Sequence, residues 1–461
     1  MSTGMFKLEC VTPVHIGSGA DLIRSIDFYT DGGFTEVLDP DLLLAAAGAI
    51  EGFAEAILRG SGIAPFLKAR GLNPAKVRRH RVPGSIEAQR LRLAIRSGDG
   101  RPMIPGSSVK GALRTLLLAA WVGEAGPHAG NRPAPVRQAL DSALAGKPSA
   151  RSLEETIFHF RSGRIRRGDP KTDVMRTISV SDAMFAPGGL KVVSSKAAGT
   201  TRNTLTAAES LGTGASALLT LKLGDSFLDQ RLPFPNAIPD AAILAGWSRM
   251  HADHLLRGDI EFFKNNREPR IVERLEAILG QVQQSPPGVI TLRLGWGTGW
   301  RAMTGDLLTP EERGRVMRRV GKTRKVIVEG HGLRSEPCDV FGWIRIAPIS
   351  ATDAAALASE TRPVPLELST VPLPLTQART PTPAVPIMSD AFAGKLKGLK
   401  PRDWGMVRGL IQEASGHPEP GERERRLGLL AEQLKMTFGG DRKRMRELAG
   451  TVEIAEYIKG K

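Results

Sequence analysis

The stretch Ile-Pro-Gly-Ser-Ser-Val-Lys-Gly-Ala-Leu-Arg, residues 104–114, says more about the fold of this chain than any other part of the sequence. Pro105 and Gly106 predict the end of a short strand, because both residue types interrupt a strand ladder. Ser107 or Ser108 then predicts the cap of a helix over residues 110–121. The stretch is therefore interpreted as a strand, a tight turn and a helix.

The same stretch carries the groups of an anion site. Free backbone N–H groups at the helix start, two serine hydroxyls and the side chains of Lys110 and Arg114 are directed toward one place. The pattern is not a Walker A loop, because here Lys110 precedes Gly111. In a strongly basic chain the expected anion is a phosphodiester. An ordinary strand, turn and capped helix without a ligand is the alternative interpretation.

Two further loops follow the same plan, in which a short apolar strand runs into small residues. Residues 6–11 lead into the loop at 12–19, and residues 290–294 lead into the loop at 295–301. Repeated glycine loops after strands are typical of a surface where the backbone approaches a ligand closely. Together with the first stretch they give the candidate RNA-binding residues: His15, Gly17, Ser18, Gly19, Ser107, Ser108, Lys110, Gly111, Arg114, Gly295, Gly297, Thr298, Gly299 and Arg301.

The charge of the chain indicates a polyanionic partner or an acidic neighbouring subunit. The net charge is +16, and between Arg59 and Arg114 there are thirteen Lys and Arg residues against only Glu87 and Asp99. Aromatic residues make up only 5% of the chain, and we find no RNP1 sequence. We therefore expect contacts to phosphate and sugar, which position a strand without reading its sequence.

These motifs resemble the RAMP superfamily of CRISPR-associated RNA-binding proteins. The matching segments are residues 12–19, 104–114, 179–182, 295–299 and the closing strand at 341–346. Their order and spacing look most like the Csm-type subunit that caps the 3′ end of the guide RNA in type III-A effector complexes. The resemblance spans residues 5 to about 350 and leaves the last hundred or so uncovered.

The resemblance implies a non-catalytic subunit that binds the guide RNA backbone near its 3′ end, caps the subunit filament and supports guide maturation in antiviral defence. The implied partners are guide RNA, nearby target RNA and neighbouring RAMP backbone subunits, with no cofactor and no metal. A RAMP endoribonuclease that itself processes or cleaves RNA is the alternative. A nucleotide-binding enzyme is least favoured, because both the Walker A loop and the Gly-x-Gly-x-x-Gly pattern after a strand are missing from the sequence.

The order of predicted elements indicates an α+β fold. Strands and hairpins alternate with helices, which fits two decorated ferredoxin-like domains with an added helical module at the C-terminus. The predicted domains are residues 1–175 and 176–350, followed by a Pro-rich linker at 351–388 and a helical extension at 389–461. The predicted helices lie at residues 40–58, 85–90, 110–121, 239–256 and 269–283, and residues 91–96 fit either a strand or a helix.

A few polar residues could support catalysis or metal binding, and each has a structural alternative. His15 is a possible general base, but we favour a role in orienting its loop, because no paired acid is evident nearby. Asp21 and Asp182 are possible cleavage carboxylates, although Asp182 at a strand end is typical of a turn or cap. His251 and His254 share a predicted helix face without an evident third metal ligand.

Length, cysteine content and hydropathy place the chain among soluble proteins. At 461 residues it is long enough for about three domains. It has no run of the ~18 apolar residues that a membrane span requires, and no layout of a signal peptide. Cys10 and Cys338 are too few for a disulfide framework and lack metal-ligand spacing. A cytoplasmic location without membrane contact is therefore expected.

Overall fold

The computed structural model divides the chain into two compact units, Met1–Leu366 and Glu367–Lys461. The structure describes the following residues: 2–47, 62–123, 132–145, 151–159, 169–200, 204–224, 240–303, 305–309, 311–312, 324–330, 335–362, 396, 404–417, 419–438 and 454. The predicted Pro-rich linker at 351–388 falls outside these ranges except at its beginning.

The first unit contains sixteen strands among its described residues. They are β1 (Ser2–Cys10), β2 (Gly17–Ile23), β3 (Phe28–Asp31), β4 (Phe34–Leu38), β5 (Arg78–Pro83), β6 (Arg90–Ala94), β7 (Met103–Ile104), β8 (Ile178–Val180), β9 (Ala183–Met184), β10 (Leu190–Ala198), β11 (Thr206–Leu211), β12 (Ser216–Leu223), β13 (Ile290–Arg293), β14 (Arg324–Glu329), β15 (Glu336–Val340) and β16 (Trp343–Pro348).

Helices of the same unit cover these strands. They are α1 (Pro40–Ala47), α2 (Ile63–Ala69), α3 (Gly106–Val122), α4 (Ala134–Ala145), α5 (Arg151–Phe158), α6 (Ala241–Asn265), α7 (Pro269–Gln283) and α8 (Ala351–Glu360). None of the helices in the described ranges combines the length and the apolar composition that crossing a membrane needs.

Two large sheets form the framework. The first is antiparallel throughout, with strand order β13-β16-β1-β12-β8. The second has the order β15-β14-β10-β11-β6-β2 and is antiparallel except where β11 pairs with β6. A three-stranded sheet, β3-β4-β5, and a two-stranded sheet, β7-β9, complete the unit. The α+β fold expected from the sequence is confirmed.

The first sheet brings together strands that are far apart in the sequence. β1 pairs with β12 from Ser2 opposite Leu223 onward, and along its other edge Phe6 lies opposite Pro348 of β16. The predicted boundary between residues 175 and 176 therefore does not separate one sheet from the other. The described part of the first compact unit also extends past residue 350, through α8.

Helices bury the apolar face of each sheet. Leu8 of β1, Leu113 and Leu117 of α3, and Ile344 of β16 are all buried in one core cluster. A second cluster joins α6 and α7 to strands β14 to β16. Burial of such side chains contributes about 1.5–3 kcal/mol each, so the alternating and helical apolar patterns dominate the choice of fold.

Several element predictions are confirmed and two are corrected. The predicted helices at 239–256 and 269–283 correspond to α6 and α7, and residues 90–94 form strand β6. The predicted helix from Ser85 is wrong: residues 84–89 have no helical hydrogen bonding. Gly84 instead donates its N–H to the Gly33 carbonyl, and Ile86 and Ala88 turn into the core. The second correction is the start of α3, because this helix begins at Gly106 and not at residue 110.

The second unit is helical where it is described. α9 (Trp404–Ser415) and α10 (Pro420–Phe438) pack through Leu410, Ile411, Leu430 and Leu434. Leu396 and Ile454 belong to the same core cluster, which is separate from the clusters of the first unit. The predicted helical extension is therefore confirmed over these residues.

Candidate nucleic-acid interface

Two of the three predicted glycine loops meet in the folded chain. The N–H of Trp296 donates to the His15 carbonyl oxygen at 2.9 Å, and the N–H of Gly342 donates to the Pro13 carbonyl oxygen at 3.0 Å. We call residues 12–19, 294–299 and 341–343 the loop cluster. It forms because β1, β13 and β16 are neighbours in the first sheet, so the loops at their ends lie side by side.

His15 ties the loop cluster to the second sheet. Its ring Nδ1 lies 2.6 Å from the carbonyl oxygen of Glu209 in β11, and its ring packs edge-on against Trp296 with centroids 5.7 Å apart. A carbonyl oxygen only accepts, so Nδ1 carries the proton. Burial lowers the pKa of His15 despite the opposing effect of that hydrogen bond, so the imidazole is neutral. This geometry fits loop orientation better than general-base chemistry.

The glycines of the last loop serve the packing of the loop cluster itself. Gly297 has φ +86°, and a Cβ there would lie 2.7 Å from the ring of Phe341. A Cβ at Gly295 would lie 2.7 Å from the His15 carbonyl oxygen. Thr298 is buried and its hydroxyl donates to the Gly295 carbonyl at 3.0 Å. These three residues therefore hold the loop in place from within.

Gly17, Gly19 and Gly299 have a different environment. A Cβ at Gly19 or Gly299 would meet no described atom within 4 Å, and a Cβ at Gly17 would lie 3.2 Å from His15 Nε2. Ser18 is exposed and its hydroxyl donates to the Leu93 carbonyl at 3.2 Å. The exposed edge of the first loop thus remains available for a ligand.

The start of α3 differs from the prediction. The helix begins at Gly106, so Ser107 and Ser108 lie inside it and neither is the cap. The N–H of Gly106 donates at 2.7 Å to the carboxylate of Asp182, which follows β8. A Cβ at Gly106 would overlap the Val180 carbonyl oxygen. The protein's own carboxylate thus occupies the predicted anion site at the helix start, and Asp182 acts as a cap.

Arg114 is engaged by protein groups. Its guanidinium lies 2.7 Å from Asp173 and 3.2 Å from Glu154, and its Cζ stands 4.0 Å from the ring centroid of Phe158. This arrangement joins α3 to α5 and argues against a role as a phosphate ligand. Lys110, on the same helix, is partly buried and has no carboxylate partner among the described residues, and Gly111 borders open space.

Arg301 is also held inside the protein. It pairs with Asp306, whose other oxygen lies 2.9 Å from His254 Nε2. Burial would raise the pKa of Asp306, but the hydrogen bonds from His254 and Arg301 lower it to about 2. His254 is therefore bonded to a carboxylate. The described residues contain no group of three or more metal-ligating side chains.

A site that the sequence analysis missed lies where the last glycine loop crosses the second sheet. The Arg92 guanidinium of β6 stands 5.0 Å from the ring centroid of Trp296, and the Lys325 ammonium of β14 stands 4.6 Å from it. Strands β10 and β11 lie between β14 and β6, so the backbones that carry the two cations are roughly 14 Å apart. Both side chains nevertheless reach the same indole ring. We call Arg92, Trp296 and Lys325 the cation–indole site. Its signal in the sequence was the basic run around each glycine loop.

The charge of the cation–indole site is poorly compensated. The nearest carboxylate described for Arg92 is that of Asp21, at 3.9 Å, and both side chains are more than a third exposed. The Arg92 Nε is buried without a hydrogen-bond partner among the described residues. Burial, and then the charge of Arg92, lower the pKa of Lys325. Two cations that destabilise one another's charge mark a place where an anion is favoured.

This fold and its glycine loops can be compared with those of known proteins. Residues 7–302 match the family model of the RAMP superfamily, so the chain belongs to that superfamily. No curated protein matches the chain.

Solved structures share the fold, and two of them show the degree of similarity to this chain. One is a chain of a Csm–crRNA–target RNA ternary complex of a type III-A CRISPR-Cas system, with 21% identity, a TM-score of 0.57, and coverage of 75% of this chain and 100% of that chain. The other is Csm5 of T. onnurineus, with 19% identity, a TM-score of 0.50, and coverage of 73% and 99%.

Proposed function

We propose that this chain is a non-catalytic, cytoplasmic RNA-binding subunit of a type III CRISPR ribonucleoprotein. It binds the guide RNA backbone near its 3′ end, caps the subunit filament and supports guide maturation in antiviral defence. Membership of the RAMP superfamily and the fold shared with Csm subunits support this proposal. The partners are the guide RNA, nearby target RNA and neighbouring RAMP backbone subunits.

The observation that carries the proposal is the cation–indole site. A phosphodiester bound beside Arg92 and Lys325 relieves their mutual repulsion and supplies the negative charge that their surroundings lack. The half-buried indole of Trp296 offers an aromatic surface beside those charges, which suits a nucleotide whatever its base. RNA bound in this way is positioned through its backbone.

The test is a charge-removing variant that preserves side-chain length. Lys325→Met should weaken binding of single-stranded RNA by roughly 10- to 150-fold, since a charge-assisted hydrogen bond contributes ~1.5–3 kcal/mol. It should also flatten the slope of log K against log salt by ~0.7, the value for one lost phosphate contact on a single strand. The loss should be equal for RNAs of different sequence, as measured by fluorescence anisotropy over a salt series.

Lys222→Met is the matched control, because Lys222 is an exposed lysine on β12 of the other sheet. It should change RNA affinity less than twofold. Equal effects of the two variants, or a sequence-selective loss with Lys325→Met, would remove the cation–indole site from the proposal.

The alternative function, a RAMP endoribonuclease, would use His15, Asp21 or Asp182, and the geometry of His15 and Asp182 does not favour it. His15 is buried with its proton bonded to Glu209, and Asp182 is bonded to the start of α3. We expect the isolated protein to bind RNA without cutting it, in Mg²⁺ or in chelator. Cleavage that disappears with Asp182→Ala or His15→Ala would establish the nuclease instead.

The capping role has its own test in the assembled complex. Deleting the chain should leave the opposite end of the ribonucleoprotein formed, with guides of altered 3′ length or lower occupancy. Native mass spectrometry of the intact complex should find one copy of this chain. Several copies per complex, or unchanged guides after deletion, would contradict a terminal position.

A further inference from the structure

A cleft of 580 Å³ opens beside the loop cluster, which contributes Ser18 to its lining. It is bounded by β5, by the end of β6 and by the turn at residues 97–101. Its polar lining includes Ser18, Arg79, His80, Arg96, Ser97 and Arg101. Its volume falls within the ~300–1,000 Å³ typical of small-molecule sites.

A buried carboxylate organises this cleft. Glu209 is fully buried, and its carboxylate accepts from His80 Nε2 at 2.5 Å, from the Ala94 N–H at 3.0 Å and from Arg96 Nη2 at 3.3 Å. Burial would raise the pKa of Glu209, but His80, Arg96 and the Ala94 N–H lower it overall. Glu209 therefore stays charged and fixes His80 and Arg96 in the cleft wall.

The rim adds two further arginines. Arg101 is anchored by Asp99, with Nε 2.8 Å from Oδ2, and by the Thr361 carbonyl oxygen at 2.6 Å from Nη1. Arg79 is exposed and has no carboxylate partner among the described residues. Glu209 and Asp99 are each already neutralised by a cation. The charge of Arg79 is therefore uncompensated, and the cleft carries excess positive charge.

The lining also offers groups other than cations. Leu93, Ile95 and Pro187 give an apolar surface, while Ser18 and Ser97 supply hydroxyls. Ser18 belongs to the first glycine loop, and its neighbour Gly17 pairs with Ala94 in the cleft wall. A strand that follows the exposed edge of that loop can therefore place one unit in the cleft.

We propose that this cleft binds one phosphorylated nucleotide, with the phosphate on Arg79 and Arg96 and the nucleoside against Leu93, Ile95 and Pro187. The shared chemistry is a phosphate ester that carries a nucleoside, supplied by a unit of an RNA strand or by a free nucleotide. Where the source is RNA, the inference rests on the proposed function, but it concerns residues that the cation–indole site does not use.

The experiment uses the full chain, with adenosine 5′-monophosphate, inorganic phosphate and a short single-stranded RNA as probes. Arg79→Ala should weaken binding of the RNA, of the mononucleotide, or of both, about tenfold. Arg90→Ala is the control, because Arg90 is an exposed arginine of β6 outside the cleft lining, and it should change affinity less than twofold. Arg79→Lys should restore part of the loss.

The outcomes separate this inference from the proposed function. RNA binding that falls with Lys325→Met but not with Arg79→Ala, while the mononucleotide does not bind, overturns the cleft and leaves the proposed function standing. Mononucleotide binding that falls with Arg79→Ala supports the cleft even if Lys325→Met has no effect on RNA. Inorganic phosphate bound as tightly as the mononucleotide overturns the nucleotide assignment, since the nucleoside then contributes nothing.

Discussion

At the scale of single residues, Gly106 sets how closely α3 approaches β8. The Val180 carbonyl oxygen occupies the space where a side chain would begin. Gly106→Ala should therefore lower the free energy of unfolding by ~1–3 kcal/mol, the usual cost of overpacking. Gly111→Ala is the matched control in the same helix, because a Cβ at that position meets no described atom within 4 Å.

Gly111→Ala should raise the free energy of unfolding by ~0.5–1 kcal/mol, since alanine favours a helix over glycine. Chemical denaturation of both variants measures the difference. Two variants that change stability in the same direction would contradict the close approach of α3 to β8.

Asp182 offers a second residue-scale prediction, because its carboxylate accepts the Gly106 N–H. Asp182→Ala should lower the free energy of unfolding by ~0.5–2 kcal/mol, as for other N-cap replacements. Asp182→Asn keeps an acceptor oxygen and should recover most of that loss. Urea unfolding followed by tryptophan fluorescence gives both values. Equal losses for Ala and Asn would show that the charge matters more than the hydrogen bond.

The partly buried imidazole of His251 makes stability depend on pH. Burial lowers its pKa to about 4, with His254 adding to the effect and Asp306 opposing it. The unfolded chain takes up this proton near pH 6.5 and the folded chain only near pH 4, so stability present at pH 7 is lost as the pH falls between these values. Each unit of pH in that window costs up to ~1.4 kcal/mol.

The difference between the unfolding midpoints at pH 7 and pH 5 should therefore be smaller for His251→Gln than for the natural chain. Titratable groups that do not interact with His251 contribute equally to both proteins, so the difference between the two pH responses reports His251 together with its interactions with His254 and Asp306. Identical responses would mean that the His251 imidazole is solvated.

The sequence predicted which loops and helices carry cationic side chains. Tertiary packing decides which of these side chains lack a carboxylate partner. Arg114 and Arg301 stand in the expected loops and helices, yet carboxylates at Asp173, Glu154 and Asp306 neutralise them. Lys325 was expected only as part of a basic run and has no such partner among the residues described. Partners 40 or more positions away in sequence, such as Glu154 for Arg114, are set by the fold and leave no local signal.

At the scale of elements, the loop cluster behaves as one packed unit. Both Gly297 and Gly299 have positive φ, but only a Cβ at Gly297 collides with Phe341. Gly297→Ala should therefore lower the free energy of unfolding more than Gly299→Ala does, by about 1–3 kcal/mol beyond the shared cost of positive φ. Thermal unfolding ranks the two variants.

The glycine variants should rank differently in their effect on RNA binding than in their effect on stability. We expect Gly299→Val to weaken RNA binding at a pH and temperature where the protein stays folded, because a Cβ at Gly299 meets no described atom and the loop edge there is open to an RNA strand. A Gly299→Val variant with full affinity would restrict the RNA surface to the first loop and the cation–indole site.

Elements were predictable where periodicity is strong, and less so where long-range pairing decides. The apolar spacing of α6 and α7 identifies both helices, whereas the segment at 84–89 carries helix-forming residues but no helix. Its backbone is held by Gly33 and by Arg24, whose guanidinium donates to the Ile86 carbonyl, and these contacts override local propensity. The start of α3 differs from the prediction for the same reason. Asp182 supplies the cap that Ser107 or Ser108 was expected to give.

At the scale of the whole molecule, the two compact units have separate cores. The fragment comprising residues 1–366 should fold alone and unfold at the same urea midpoint as the corresponding transition of the intact chain. The fragment should also keep its affinity for single-stranded RNA, because the loop cluster, the cation–indole site and the cleft all lie within it. Circular dichroism and anisotropy measure the two properties. A fragment that aggregates or loses affinity would show that residues 367–461 complete the first unit.

The central position of β1 bears on how the chain is made by the ribosome. Ser2–Cys10 is synthesised well before both of its neighbours in the sheet, which are Ser216–Leu223 and Trp343–Pro348. At a synthesis rate of ~5–20 residues per second, β16 follows roughly 20–70 s after β1. Until Ser216–Leu223 has been synthesised, the apolar side chains of β1 have no neighbouring strand in this sheet, so the first sheet can form only late in synthesis.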